Sequence, residues 1–209
     1  MRTSGQEADG TDEQRFARGR GVDVVALVAS AGGLGALTVV LGDLPTDLPV
    51  AVVVQQHLGG HSSQLAPILR RRTGQEVVWA EDGMPLRAGR VLVTPPGQRL
   101  EVVPDGTCRL LPDGHAARGF PHDGLLTSLA VSCGARVLGV VLTGAGRDGA
   151  AGVRALEQAG AVVLAQSEAE HPPMPQAALE AGADLSLPLD EIAVVVTRIV
   201  RGGALPGPR

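Results

Sequence analysis

Short, continuous apolar runs recur along this chain, and helix-like segments separate them. The runs lie at residues 22–29, 49–55, 137–142 and 161–166 and are rich in Val. This pattern is typical of strands that are buried on both faces of a parallel sheet. Because helices alternate with the runs, they are expected to cover both sides of the sheet. The sequence therefore predicts an α/β fold, a three-layer α/β/α sandwich around a doubly wound, mainly parallel sheet.

The middle of the chain has a different pattern. Residues 90–94, 98–103 and 108–112 are shorter apolar segments, and Asp105-Gly106 between alternating apolar residues is typical of a β-hairpin. We therefore expect a small antiparallel hairpin excursion here. Further strands are predicted at residues 76–80 and 184–187. Helices are predicted at residues 34–41, 61–72, 124–133, 148–159, 175–181 and 189–201.

The chain length of 209 residues fits one domain of this kind. Residues 1–20 are polar and charged without apolar periodicity, which predicts a flexible leader, and residues 202–209 predict a flexible tail. The folded domain is therefore expected over residues 21–201.

Composition argues against several classes of function. The formal net charge is -4, and one Trp, two Phe and no Tyr provide too few rings to stack bases, so we expect no nucleic-acid partner. No apolar run reaches the ~18 residues of a membrane span, and no signal sequence begins the chain, so we expect a cytoplasmic protein without membrane insertion. Cys108 and Cys133 are expected to be buried free thiols rather than a disulfide or a zinc site.

Three polar residues follow the apolar runs at the points where strands should end. Ser30 follows the first run, His57 follows the second, and Asp148 follows the run at 137–142. In a parallel sheet these positions share the edge at which ligands bind. In acyl transfer a Ser oxygen attacks, a His accepts its proton and a carboxylate orients the imidazole. The sequence therefore predicts a hydrolytic site at Ser30, His57 and Asp148.

Flexible turns lie close to two of these residues. The turn after Ser30 contains glycines that let a substrate approach the backbone, and the next helix directs its N-terminal N–H groups towards the site. A second glycine-containing turn precedes Asp148. N–H groups in such turns can stabilise an oxyanion or contact the substrate. The candidates for this role are Ala31, Gly32, Gly33, Gly144, Ala145 and Gly146.

Each candidate also has a simpler interpretation. Ser30 or Asp148 can be an ordinary helix cap, and a His after a strand is often structural. His61 and His122 compete with His57 for the role of base, and both are candidates for substrate contacts. A nucleotide-binding Rossmann domain is another alternative. Against it, the first turn reads SAGGLG rather than GxGxxG, and no acidic residue closes the second strand.

Five segments carry a resemblance to a known family: VASAGGLGAL, VVVQQHLGGH, EDGMPLRAGRVLVTPPGQRLEV, VVLTGAGRDGAAG and AGAVVLAQSEAEHPPMPQAALEAGA. In sequence, order and spacing they resemble the catalytic domain of the CheB-type chemotaxis protein-glutamate methylesterases. The resemblance covers about residues 22–201.

The resemblance implies Ser30 as nucleophile, His57 as base and Asp148 as the orienting carboxylate. It also implies that the chain hydrolyses glutamyl methyl esters on the helices of methylated chemoreceptor-like proteins. Deamidation of glutamine would be a second activity, and no cofactor or metal is expected. A separate response regulator or a methyltransferase is a further partner that the resemblance suggests.

The sequence departs from the family pattern near these residues. Ala31 stands in place of a Thr, and Ala145 stands in place of a Met whose backbone N–H is an expected oxyanion donor. Arg147 stands where Asn is common, and His122 lies in a segment that usually reads Pro-Ser-x-Asp. Family members also carry an N-terminal receiver domain, whereas we expect a stand-alone catalytic domain here. These differences motivate an alternative, a catalytically weak binding or signalling module that holds a receptor helix.

Overall fold

A computed structural model of the protein describes residues 21–58, 62–113 and 120–205. The leader predicted at residues 1–20 and the last four residues of the predicted tail lie outside this part of the chain. In chain order the elements are β1 (Val24–Ala29), α1 (Gly33–Asp43), β2 (Ala51–Gln56), α2 (Leu65–Thr73), β3 (Glu76–Trp79), β4 (Arg90–Val93), β5 (Gln98–Val102), β6 (Cys108–Pro112), α3 (Pro121–Cys133), a 3-10 turn (Gly134–Arg136), β7 (Val137–Val141), α4 (Ala150–Gln158), β8 (Val162–Gln166), α5 (Pro173–Glu180), β9 (Leu185–Leu187) and α6 (Leu189–Val200).

Seven strands form one parallel sheet in the order β3-β4-β2-β1-β7-β8-β9. From β1 the chain adds β2, β3 and β4 on one side, with β4 between β2 and β3, and then returns to add β7, β8 and β9 on the other side. The direction of winding therefore reverses between β1 and β7. Strands β5 and β6 pair antiparallel outside this sheet. The predicted sandwich and its hairpin excursion are both confirmed.

Strand β1 shows why its sequence is an unbroken apolar run. All six of its residues are buried, and their side chains alternate between the two faces of the sheet. Val25 and Leu27 pack into the hydrophobic cluster that also contains residues of α1, α2 and α6. Val24 and Ala26 pack into the cluster that contains residues of α3, α4, α5 and the hairpin. A strand covered on both faces needs an apolar residue at every position.

The starts of two helices differ from their predicted positions. Helix α2 begins at Leu65 rather than at residue 61, and the Ser63 hydroxyl accepts the Leu65 N–H at 3.1 Å where the helix begins. Helix α3 begins at Pro121, three residues before its predicted start at 124. Proline fits the first helical position because it has no N–H to satisfy there. Residues 121–123 are therefore helical, with consequences for the site described below.

Cys108 and Cys133 are free thiols, as predicted, although Cys133 is only half-buried. Burial raises the pKa of the Cys108 thiol to about 11, so this sulfur is a packing group rather than a nucleophile. Within the described ranges no helix is long and apolar enough to cross a membrane.

Candidate active site

Ser30, His57 and Asp148 meet at the carboxyl edge of the sheet. Ser30 directly follows β1 and His57 directly follows β2, and the last residues of these strands, Ala29 and Gln56, are paired in register. Asp148 arrives on the loop between β7 and α4. The three residues therefore surround the point where the winding of the sheet reverses, which is the usual ligand position in such folds.

Their side chains form a continuous hydrogen-bonded chain. His57 Nδ1 lies 3.0 Å from Ser30 Oγ, and His57 Nε2 lies 2.8 Å from Asp148 Oδ2. Because an ionised carboxylate only accepts hydrogen bonds, Nε2 carries the ring proton and Nδ1 presents its lone pair to the Ser30 hydroxyl. The His57 side chain is 35% exposed and that of Asp148 is 7% exposed. A reactant can thus reach the imidazole while the carboxylate stays shielded.

The Asp148 carboxylate also caps the first turn of α3. Its Oδ2 accepts the His122 N–H at 3.1 Å, and its Oδ1 accepts the Asp123 N–H at 3.1 Å. Burial by itself raises the pKa of Asp148, but hydrogen bonds from His57 and from these two N–H groups outweigh it and hold the pKa below its ordinary value. The positive end of the α3 dipole acts in the same direction. Asp148 is therefore an oriented, ionised carboxylate.

A second cap connects α3 to α4: here a side chain of α3 accepts a backbone N–H of α4. Asp123, in the first turn of α3, accepts the Gly152 N–H of α4 at 2.8 Å. The helices approach so closely here that a Cβ at position 152 would lie 2.5 Å from the Leu126 Cβ. Burial raises the pKa of Asp123, and the adjacent charge of Asp148 adds to the rise. This exchange of caps fixes the loop on which Asp148 stands.

His122 lies beneath the His57 ring. It is 0% exposed, and the two rings are stacked with their centroids 4.1 Å apart and 23° between their planes. Its Nε2 is 3.1 Å from the Ala29 carbonyl oxygen. The sequence predicted a substrate contact for His122; in the structure its ring is buried and no face of it is open to solvent. His61, the other competing base, lies outside the described residues.

His57, His122 and Asp148 have potential metal-ligand atoms within 4.8 Å of one another. Zinc binds imidazole nitrogen at about 2.0–2.1 Å, and the ion must lie close to the plane of each ring that binds it. Two rings stacked at 4.1 Å with 23° between their planes do not direct lone pairs to one such point. The arrangement therefore fits hydrogen bonding between the residues better than shared coordination of an ion.

The N–H groups of the two turns near Ser30 fall into two sets. The Gly33 N–H donates to Ser30 O at 2.9 Å, and the Gly144 N–H donates to His171 O at 3.0 Å. Both N–H groups were predicted as oxyanion donors, and in this structure both already donate to a backbone oxygen. In the described part of the chain, the predicted donors that have no acceptor are Ala31, Gly32, Ala145 and Gly146.

Glycine is required in these turns for two separate reasons. Gly32 has φ +76°, the left-handed region that glycine adopts without strain, and this conformation leads the chain from Ser30 into α1. Gly144 is required by close approach, since a Cβ there would lie 2.7 Å from Met174 Sδ and 2.9 Å from Ser30 Cβ. Gly144 therefore lets the second turn pack directly against Ser30.

Thr143 connects the two turns, and the sequence did not single it out. Its hydroxyl donates to Ala31 O at 3.1 Å and accepts the His171 N–H at 2.9 Å. Its carbonyl oxygen accepts the Ser30 N–H at 3.0 Å. The available signal was its position, a polar residue immediately after the apolar run at 137–142. Thr143 holds the backbone around Ser30 in place.

The chain is similar in sequence to a known family and to named proteins. A family model described as CheB methylesterase matches residues 25–196. A protein of Anaeromyxobacter dehalogenans named protein-glutamate methylesterase/protein-glutamine glutaminase 2 is 43% identical over 191 residues, which cover 88% of this chain and 55% of the relative. A protein-glutamate methylesterase/protein-glutamine glutaminase of Moorella thermoacetica is 39% identical over 191 residues, covering 87% of this chain and 45% of the relative. The chain spans about half the length of these curated relatives.

The fold is also similar to that of a solved structure. The crystal structure of the Thermotoga maritima CheB methylesterase catalytic domain matches with a TM-score of 0.79 at 28% sequence identity, covering 86% of this chain and 99% of that one. Sequence and fold thus agree over most of the chain, and the nucleotide-binding alternative is not supported. The chain belongs to the CheB methylesterase family.

Proposed function

We propose that this chain hydrolyses the methyl esters of glutamyl side chains through Ser30, His57 and Asp148, and that it deamidates glutamine at the same site. The observation that carries the proposal is the unbroken hydrogen-bonded chain from Ser30 Oγ through His57 to Asp148, with distances of 3.0 and 2.8 Å. The substrate class is supported by relatives named for both reactions.

The first half of the reaction forms an acyl-enzyme. Ser30 Oγ attacks the ester carbonyl carbon while His57 Nδ1 accepts the hydroxyl proton, and Asp148 stabilises the imidazolium. The carbonyl oxygen becomes an oxyanion, for which the unoccupied N–H groups of Ala31 and Ala145 are the proposed donors. When the tetrahedral intermediate collapses, the methoxy oxygen takes the proton from His57 and leaves as methanol. The glutamyl carbon is then esterified to Ser30.

The second half releases the product. Water attacks the acyl carbon while His57 accepts one of its protons, and the same proton returns to Ser30 Oγ as the bond to that oxygen breaks. The glutamyl carboxylic acid leaves, loses its remaining proton to solvent, and the site is restored. With a glutamine side chain the same steps release ammonia in place of methanol.

The proposed substrates are the helices of methylated chemoreceptor-like proteins in the cytoplasm. A cleft of about 650 Å³ has Gly32, two residues after Ser30, and Thr143 among its lining residues. This cleft provides room for a protein segment next to the nucleophile. A response regulator or a methyltransferase is the proposed further partner. The free thiols Cys108 and Cys133 are compatible with a reducing compartment.

The alternative of a weak binding module is not favoured. A protein that only held a glutamyl side chain would not need a hydroxyl, an imidazole and a buried carboxylate aligned in one chain. The alanines at positions 31 and 145 change side chains, whereas the proposed oxyanion donors are backbone N–H groups that remain without an acceptor in the described ranges.

Two measurements on the purified chain test the proposal. The first is labelling by a fluorophosphonate, and the second is hydrolysis of a methylated receptor fragment, measured as release of methanol. We expect wild-type protein to be labelled and to release methanol. Ser30→Ala should prevent labelling and lower turnover by several orders of magnitude, on the order of 10⁶-fold. Ser186→Ala, which removes an exposed hydroxyl from β9, is the matched control and should react as wild type does. Folded wild-type protein that neither labels nor hydrolyses would contradict the proposal.

A further inference from the structure

His122 is a buried titratable residue to which the proposed reaction assigns no step. It nevertheless contacts His57, Asp148 and the residue that precedes Ser30. Its ring is stacked on that of His57 at 4.1 Å, and its backbone N–H donates to Asp148 Oδ2 at 3.1 Å. Its Nε2 lies 3.1 Å from the carbonyl oxygen of Ala29, the residue before Ser30. One side chain at the start of α3 thus links the ends of β1 and β2.

The contacts of His122 fix the orientation of its ring. A carbonyl oxygen only accepts, so His122 Nε2 carries the proton and donates to Ala29 O. The same oxygen accepts the backbone N–H of His57 at 3.3 Å. His122 Nδ1 is buried and has no partner among the described residues. One backbone oxygen therefore holds both the main chain of His57 and the ring beneath it.

The charge state of His122 suits this position. Burial, together with the positive charge that His57 can carry, lowers the pKa of His122 to about 3, against the opposing effects of the Asp148 charge and of the hydrogen bond to Ala29 O. His122 therefore stays neutral while His57 gains and loses a proton. A second cation stacked against His57 would oppose proton transfer from Ser30, whereas a neutral ring does not.

We propose that His122 is a positioning residue that acts through His57, holding the plane of the His57 imidazole between Ser30 Oγ and Asp148 Oδ2. The inference rests on the proposed hydrolase function. His57 is one-third exposed and lies at a strand end, so its two hydrogen bonds alone leave the ring free to tilt. The buried ring of His122 supplies the missing contact on one face. A misplacement of about 1 Å at a reacting group can lower the rate about 100-fold.

The test removes one feature of the ring in each of two variants, and the proposal requires both features. His122→Phe keeps an aromatic face beneath His57 and removes the N–H, whereas His122→Gln keeps an N–H donor and removes the ring. The control is Gln75→Leu, which removes a buried polar side chain from a position near the C-terminal end of α1. For each folded variant, kcat and KM are measured with a methyl ester substrate. Proton NMR follows the signal of the proton between His57 Nε2 and Asp148.

We expect each His122 variant to lower kcat by about 10- to 100-fold with little change in KM. The bridging-proton signal should broaden or disappear in both, because the His57 ring becomes mobile. Gln75→Leu should lower the melting temperature while leaving kcat and this signal unchanged. Folded His122 variants that retain wild-type kcat and the wild-type signal would overturn the proposal. So would variants that lose activity only in proportion to the loss of folded protein.

Nitrogen NMR of the wild-type protein tests the inference without any variant. His122 should show a protonated Nε2 and a bare Nδ1 from about pH 8 to about pH 5, with cross-peaks to the His57 ring. A His122 ring that is protonated in this range, or that shows no contact with His57, would contradict the proposal. If wild-type protein fails to react with fluorophosphonate while the stacked pair is observed, the proposed hydrolase function fails rather than the ring geometry.

Discussion

Two buried side chains in this protein form hydrogen bonds with backbone groups at the end of a helix that is distant in sequence. The two contacts lie at opposite edges of the sheet. Gln75, between α2 and β3, donates to Leu41 O and Leu44 O at the C-terminal end of α1, at 3.1 and 2.8 Å. Asp148 accepts two N–H groups at the N-terminal end of α3. Both side chains satisfy backbone groups that have no partner within the helix.

The two caps differ in charge and in what else they contact. Gln75 is neutral, and the partners recorded for its side chain are backbone carbonyls. Asp148 is ionised and also accepts a hydrogen bond from the His57 Nε2–H. In a strand–helix alternation, the N-terminal ends of the helices lie at the carboxyl edge of the strands. Only that edge offers N–H donors and a positive dipole to a carboxylate. The same kind of contact therefore stabilises the fold at one edge and holds a reactive charge at the other.

The sharpest test of this difference is Asp148→Asn. The amide would offer an N–H to His57 Nε2 and favour the wrong tautomer, so we expect kcat for ester hydrolysis to fall about 10⁴-fold. The melting temperature should fall only slightly, because the amide oxygen of Asn can still accept an N–H of α3. Steady-state kinetics and thermal unfolding of the same preparation measure both effects. A fall in kcat below tenfold would show that the charge at this cap is not needed.

Acid should destabilise the edge that carries the site. The folded-state pKa of His122 is about 3, against an ordinary value of 6.5, so the unfolded chain binds the proton more tightly. The resulting stability is complete above pH 6.5 and is lost as the pH falls towards 3, by about 1.4 kcal/mol for each pH unit. The lowered pKa of Asp148 acts in a more acidic window, below its ordinary 3.8.

Urea unfolding at about pH 7 and about pH 5 measures this dependence. His122→Gln removes the titrating group, so its free energy of unfolding should vary less between these conditions than that of wild type. Gln75→Leu, at the opposite edge, should keep the wild-type dependence. Equal pH dependence in wild type and His122→Gln would mean that other groups cause the acid sensitivity.

At the other edge, Gln75→Leu should affect stability alone. Two carbonyls at the C-terminal end of α1, those of Leu41 and Leu44, would lose their donor, which costs about 1–3 kcal/mol of unfolding free energy. Because no part of the proposed reaction involves this edge, kcat and KM should remain at wild-type values. Urea denaturation measures the free energy of unfolding, and ester hydrolysis measures kcat and KM. A change in kcat in fully folded protein would show that the Gln75 cap also affects the site.

The smallest expected effect belongs to Asp123, which caps α4 and contacts no reacting atom. Asp123→Ala removes the acceptor of the Gly152 N–H and should cost about 1 kcal/mol of stability. Asp123→Asn keeps an oxygen acceptor and should cost less. Comparison of the two by chemical denaturation separates the hydrogen bond from the charge. Equal losses in both variants would indicate that the charge of Asp123 matters more than its capping bond.

The sequence by itself determined the sheet, the strand-end positions of Ser30 and His57, and the position of Asp148 in the loop that follows β7. Burial of β1 on both faces requires an apolar residue at every position, and this requirement is visible locally as a continuous run. The first residue after such a run must emerge at the carboxyl edge. Residues that are distant in sequence could therefore be assigned to one edge before their contacts were known.

Tertiary structure alone decided how that edge is supported. The start of α3 depends on Asp148, which lies 26 residues after His122, and the His122 ring bonds to Ala29 across 93 residues of chain. The sequence suggested Gly33 and Gly144 as oxyanion donors, yet their N–H groups bond within the fold. Capping, stacking and the choice of backbone acceptor depend on which segments pack together, and no local pattern records them. The sequence thus determined which residues reach the site, and packing decided which of them support the others.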